Sequence, residues 1–295
     1  MALRMSITNT DSLMGVVKTV SALRARINDW RSEGLRVAFI PTMGALHDGH
    51  LSLITHGHSH ADRVVASIFV NPTQFAAHED LGTYPRVEVE DLAMLQEVGC
   101  HLAYLPSEQE MYPDGFQTDI TVNEISQGLC GASRPHFFGG VATVVCKLLN
   151  QCRPDVAIFG EKDFQQLHII RRMVRDLDME VDIAGAPIIR EKDGLAMSSR
   201  NVYLSDEERA IAGGLNKVLA EMAADLKSGT TIADALSAGR ASLEQRGFAN
   251  VDYLDIRNAA DLSEPPPGPA QTSLRILAAA MVGKTRLIDN WPVDI

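Results

Sequence analysis

The residues best placed to do chemistry are two imidazoles, His47 and His50, three positions apart in Ile40-Pro41-Thr42-Met43-Gly44-Ala45-Leu46-His47-Asp48-Gly49-His50. They follow the apolar, strand-like run Arg36–Ile40 and a glycine-bearing turn, where a helix can open. A strand, a turn and a helix start present backbone N–H groups and the positive helix end to an anion. Residues at i and i+3 of that helix share a side, so both rings can reach one phosphate group. That arrangement suits a site where ATP loses pyrophosphate. A second candidate is Met197-Ser198-Ser199-Arg200, two hydroxyls and a guanidinium able to clamp phosphate oxygens in bidentate fashion. A third is Gly160-Glu161-Lys162-Asp163, which ends another apolar run, Asp155–Gly160.

Those groups need elements to hold them. A helical pattern runs from about Leu13 to Trp30, followed by a strand at 36–40 and a helix near 49–61. Strands are predicted at 63–70, 101–106, 155–160 and 181–183, with a short run at 187–190. Helices are predicted at 87–98, 140–151 and 163–177. Strands alternating with helices of this length predict an α/β fold, a Rossmann-like doubly wound parallel sheet covered on both faces. Ligands of such sheets bind at the carboxyl ends of strands, where the topology switches direction. After about residue 190 the character changes. Helices at 206–227 and 231–246, strands at 251–257 and 274–281 and the proline-rich loop 264–269 predict a smaller α+β C-terminal domain. The expected division is 1–189, the Rossmann-like nucleotide-binding part, and 190–295, carrying the Met197–Arg200 loop.

The chain has 295 residues and a formal net charge of −11, which argues against a broad nucleic-acid or anionic-membrane surface. Four cysteines without CxxC spacing suit a reducing compartment. No signal-peptide pattern opens the chain and no apolar run approaches about 20 residues, so a cytoplasmic protein without membrane contact is expected. Residues 1–12 are polar.

The tetrad His47-Asp48-Gly49-His50 resembles the HxGH signature of nucleotidyltransferases, and Met197–Arg200 stands where that superfamily has a KMSKS-like loop. Ile40–His50, Ser67-Ile68-Phe69-Val70-Asn71-Pro72-Thr73-Gln74-Phe75, Thr83-Tyr84-Pro85-Arg86, Phe159–Leu167 and Asp193–Ser205, in this order, resemble the pantoate–β-alanine ligase family over roughly residues 13–290. The resemblance implies attack of pantoate's carboxylate on the α-phosphorus of ATP, release of pyrophosphate, and capture of the pantoyl adenylate by the amine of β-alanine, expelling AMP. It implies His50 as proton donor, with His47 and Lys162 as further catalytic residues. ATP contacts would come from Met43, Gly44, Ala45, Leu46, His47, Asp48, Gly49 and His50, from Gly160, Glu161, Lys162 and Asp163, and from Ile189, Met197, Ser198, Ser199 and Arg200. Gln74 and Gln166 would hold pantoate, Gln74 also serving β-alanine; a neutral amide reads hydroxyls as donor and acceptor. Pro41, Met43, Phe69 and Phe75 would wall the geminal methyls. Magnesium would arrive with ATP rather than at a dedicated metal site, and a homodimer is implied.

One departure stands out. Where the family has Arg-Pro-Gly-His-Phe, this chain reads Arg134-Pro135-His136-Phe137-Phe138, so Phe137 replaces the histidine and His136 the glycine. Neither is counted among the site residues. His56, His58 and His60 alternate at i and i+2, which on a helix points them apart rather than into a metal site, and His168 reads as structural. Two other readings share HxGH: an enzyme that adenylates a phosphate, and a tRNA-charging relative or nucleotide sensor. The segments 71–75 and 161–167 weigh against the first, and the acidic charge against tRNA.

Overall fold

Burial on both faces shapes the central sheet. The computed structural model describes residues 13–75, 80–82 and 84–294. Residues 1–12 and Thr83, singled out above, lie outside them. Strands β2 (Val37–Thr42) and β3 (Arg63–Ile68) are buried almost throughout, and their side chains alternate between two cores. Val37, Phe39 and Val65 face one core; Ala38, Ile40, Val64 and Ala66 face the other. With β1 (Gly15–Val17), β4 (Leu102–Tyr104), β5 (Val156–Gly160) and β6 (Asp182–Ala186) they form a six-stranded, wholly parallel sheet in the order β1-β4-β3-β2-β5-β6. This is the Rossmann-like, doubly wound arrangement expected.

Helices α1 (Val20–Ser32), α2 (Asp48–His58), α3 (Glu88–Glu97), α4 (Glu108–Met111), α5 (Cys130–Ser133), α6 (Phe137–Cys152) and α7 (Phe164–Asp176) accompany this sheet. The most apolar, α6, is buried over most of its length because it packs on α1, α7 and the sheet. The order reverses between β2 and β5, which pair directly (Ala38 with Val156, Phe39 with Ala157). The loops leaving their carboxyl ends, at residues 43–47 and 161–163, therefore emerge side by side at the switch point.

The C-terminal part comprises α8 (Asp206–Ala212), α9 (Gly214–Lys227) and α10 (Ile232–Gln245) over an antiparallel sheet of β7 (Asn250–Asn258), β8 (Leu274–Val282) and β9 (Thr285–Val293). It has its own apolar core, from Leu195 to Val293, including Leu219, Leu243 and Ile276.

Several expected elements differ. The helix expected from Leu13 is preceded by the edge strand β1; Thr19 caps the helix proper by accepting from the Ala22 amide at 3.2 Å. The run 187–190 is no strand: only Arg190 forms an isolated antiparallel bridge, to Ala196. The helix expected over 206–227 is two helices joined at Gly213. Strand β9 was not anticipated; its buried Asp289 and Asn290 disguise the apolar alternation.

Candidate active site

The turn after β2 is built around a buried carboxylate. Asp91, on α3, accepts from the amides of Ala45 (2.9 Å) and Leu46 (2.8 Å). Gly44 (φ +81°) and Ala45 (φ +50°) are both left-handed, and a Cβ on Gly44 would sit 2.9 Å from an Asp91 oxygen. These amides are thus spent on Asp91 rather than presented outward. Burial pushes the Asp91 carboxyl above its ordinary value, against the pull of the two amides.

His47 is the N-cap of α2. Its Nδ1 accepts from the Gly49 amide at 3.1 Å, which puts the proton on Nε2 and leaves Nε2–H as donor. A Cβ on Gly49 would lie 2.8 Å from the His47 ring, so the glycine admits the folded-back imidazole. The rings of His47 and His50 are 4.0 Å apart. Burial, then Lys162, pushes His47 down to about 4, opposed by Asp48, Glu191 and Asp163. Burial, then His47 and Lys162, pushes His50 down to about 3. Both are neutral donors at neutral pH. His50 Nδ1 is buried and has no partner among the described residues.

Lys162 follows β5 in a single 3₁₀ turn, Glu161–Asp163; its ammonium lies 3.8 Å from the Asp163 carboxylate. Residues 189–197 fold back on themselves: the Met197 amide donates to Ile189 O (3.0 Å) and the Glu191 amide to Leu195 O (2.8 Å). Asn201 ties down the following turn, donating to Glu191 (2.7 Å) and Ala196 O (3.1 Å). Ser198 caps that turn by accepting from the Arg200 amide at 3.3 Å, and the Tyr84 hydroxyl is 3.4 Å from that of Ser199. Met197 reaches the start of α2, its Cβ 3.4 Å from where a Cβ on Gly49 would lie.

One cavity of about 1140 Å³ gathers these parts. Of the expected residues, Met43, His47, Gly49, His50, Gln74, Gly160, Lys162, Asp163, Gln166, Ile189, Met197, Ser198, Ser199 and Arg200 line it, as do Pro41, Phe69 and Phe75. Gly44, Ala45, Leu46, Asp48 and Glu161 are not among its lining residues. The first three belong to the Asp91-held turn, and the Glu161 carboxylate accepts from Arg275 at 3.1 Å.

The two neighbouring glutamines of α7 divide their work. Both border the cavity, but the side chain of the buried Gln165 is committed to the backbone, donating to Ile125 O (3.0 Å) and Gly128 O (2.8 Å) and accepting from the Cys130 amide (3.1 Å), which leaves Gln166 as the candidate for substrate. Gln74 is oriented by Asn71, whose amide donates to Gln74 Oε1 (3.0 Å), so the Gln74 NH₂ is directed towards Met43 Sδ, 3.0 Å away. Asn71 and Asp91 were not picked out from the sequence. An acid one turn before Leu95 on the buried face of α3 was the available signal for Asp91.

Phe137 also lines the cavity, with the Arg134 guanidinium 3.9 Å over its ring. His136 is exposed, at φ −88°, and does not line the cavity; it does not stand in for the family histidine, and the lost glycine imposes no strain. His56 and His60 meet at 3.2 Å, away from the cavity lining.

His168 is buried beside Phe164, its Nε2 without a partner among the described residues. Burial, then Arg171 and Arg275, pushes it down to about 4 from an ordinary 6.5. The unfolded chain therefore binds a proton below pH 6.5 that the folded one refuses until about pH 4, so stability falls as pH drops through that window. His168→Leu should flatten this slope, gaining more in urea midpoint at pH 5 than at pH 7.5; an unchanged pH dependence would refute the assignment.

A parallel nucleotide-fold sheet with a small antiparallel C-terminal sheet and one deep cleft at the switch point defines a Rossmann-like α/β enzyme. The chain belongs to the pantoate–β-alanine ligase family: that family's model matches residues 15–292. It is 56% identical to a pantothenate synthetase of Paramagnetospirillum magneticum over 95% of this chain and 98% of that one. It is 54% identical to one of Caulobacter vibrioides over 94% and 98%. The crystal structure of the Thermus thermophilus pantothenate synthetase superposes with a TM-score of 0.88 at 43% identity, covering 96% of this chain and 100% of that one. The Francisella tularensis pantoate–β-alanine ligase, solved with a β,γ ATP ligand and β-alanine, gives 0.79 at 33% identity, covering 94% and 97%.

Proposed function

We propose that the cavity condenses pantoate with β-alanine at the expense of ATP, through an enzyme-bound pantoyl adenylate, releasing pyrophosphate and AMP. The observation that carries this reading is the meeting of three loops, after β2, after β5 and at 197–200, around one cleft that also holds Gln74 and Gln166. The pantoate carboxylate attacks the α-phosphorus in line with departing pyrophosphate. Negative charge then grows on the α-phosphate and the leaving group, where preorganised donors act most strongly. His47 Nε2–H and His50 donate to those oxygens, Lys162 neutralises their charge, and Ser198, Ser199 and Arg200 close over the β- and γ-phosphates. Gln74 and Gln166 hold pantoate against Pro41, Met43, Phe69 and Phe75, and β-alanine enters beside Gln74 to attack the acyl carbon.

Magnesium would travel with ATP, held mainly by phosphate oxygens and water, with Asp163 as the carboxylate beside Lys162; bound there it would offset phosphate charge. The unit boundary is placed at 189/190, supported by Ala186 as the last residue of one core and Leu195 as the first of the other. The four cysteines are buried free thiols, which suits the proposed cytoplasmic location. A homodimer rests on family resemblance and is checked by light scattering.

The decisive assay supplies ATP, pantoate and β-alanine and asks whether AMP accumulates only with all three; accumulation without pantoate would overturn the reading. Gln74→Ala should raise the pantoate KM by about 10- to 100-fold, the worth of one or two substrate hydrogen bonds, and leave the ATP KM within about twofold. Steady-state kinetics check this, and an unmoved pantoate KM would remove Gln74 from the assignment.

A further inference from the structure

We propose that Asp289 and Asn290, adjacent on β9, are positioning residues that set the Lys162 turn and the 197–200 loop at a fixed spacing across the cleft. The inference rests on the assignment of those two loops to the phosphates of ATP. Asn290 Nδ2 donates to both Glu161 O and Lys162 O, each at 2.9 Å. Its Oδ1 is held by Arg275 Nε at 2.6 Å, and Arg275 also donates to the Glu161 carboxylate at 3.1 Å. The backbone of the lysine turn is therefore hung from the C-terminal sheet. Asp289 takes both guanidinium nitrogens of Arg190, at 2.7 and 2.9 Å, and Arg190 in turn donates to Gly194 O at 3.1 Å. Arg190 also bridges Ala196 through its backbone, one residue before Met197.

Successive side chains of a strand point to opposite faces, so two neighbouring residues can grip two different loops. Asp289 and Asn290 are 4% and 2% exposed, an expensive place for a carboxylate and an amide unless every polar atom is used. Here the Asn290 amide nitrogen and the Asp289 carboxylate are spent on loops of the cleft, and Arg275 takes the Asn290 oxygen. A displacement of about 1 Å in a charge-stabilising group costs up to roughly a hundredfold in rate, so this spacing bears on turnover more than on binding of pantoate.

The test is pantoate-dependent exchange of labelled pyrophosphate into ATP at saturating substrates. Asn290→Ala should lower kcat by about tenfold or more while the pantoate KM stays within about twofold, and Asn290→Ser, with one donor left, should fall between. Val218→Ala, a C-terminal core change with a comparable melting loss, should keep wild-type kcat. Exchange by Asn290→Ala within twofold of wild type, or an equal loss in Val218→Ala, would overturn the proposal. If the alanine protein does not fold, the serine variant decides by the same comparison. Lys162→Ala is run alongside: wild-type exchange there would sink the assignment of Lys162 itself, whereas a collapsed rate there with intact Asn290 variants would sink the positioning role alone.

Discussion

His50→Ala is expected to slow pantoate-dependent pyrophosphate exchange by about 10²- to 10³-fold, the typical loss when one preorganised donor to a developing oxyanion is removed. Folding should hardly notice. His50 contributes little to stability because its Nδ1 has no partner among the described residues, and a buried polar atom left unmatched is a cost. Deleting the ring opens space towards an existing cleft rather than creating a closed void. Lys162→Ala should act in the same direction, since among the described residues its ammonium pairs with Asp163, at 3.8 Å, and its side chain lines the cleft. The two effects should not multiply when both groups serve the same departing charge, and a double variant no slower than the worse single one would say so. Exchange at the wild-type rate in His50→Ala, with a thermal midpoint within a few degrees of normal, would reject the phosphate role outright.

What the sequence made legible follows from where polar groups had to be spent. Strands β2, β3 and β5 announce themselves because both of their faces are buried, leaving unbroken apolar runs. Strand β9 stayed hidden for the opposite reason: Asp289 and Asn290 occupy buried positions because they reach across to Arg190, Glu161 and Lys162. A polar pair inside a strand then reads as a loop until its partners, more than 90 residues away in sequence, are seen. Strand β1 is three residues at a sheet edge with Val16 turned outward, too short for any period to show. In the cleft, local motifs were readable but their supports were not. His47, His50 and Lys162 sit in recognisable spacings, whereas Asp91 holds the histidine turn from a separate helix, 45 and 46 residues along. Ala45 and Leu46 were expected to contact ATP, and nothing in the local motif tells that this one carboxylate claims both of their amides.

Gly140→Ala should disable pantoate use without touching a substrate-facing side chain. Helix α6 passes so close to the 72–75 turn that a Cβ on Gly140 would lie 2.4 Å from Thr73 O and 2.8 Å from the Gln74 amide nitrogen. Both obstacles are backbone, so no rotamer change relieves them, and either the helix or the turn must shift. The turn is the softer side: it is a single 3₁₀ turn, and the same Asn71 that orients Gln74 also donates to Gly140 O at 3.2 Å. Moving it drags Gln74 off its mark. We expect a stability loss of about 1–3 kcal/mol from overpacking and a pantoate KM raised at least as far as in Gln74→Ala. The comparison separates the causes, because Gln74→Ala should leave the urea midpoint alone while Gly140→Ala lowers it. A Gly140→Ala protein that is less stable yet keeps a normal pantoate KM would mean that the turn does not carry the acid substrate, and that Gln74 reads something else.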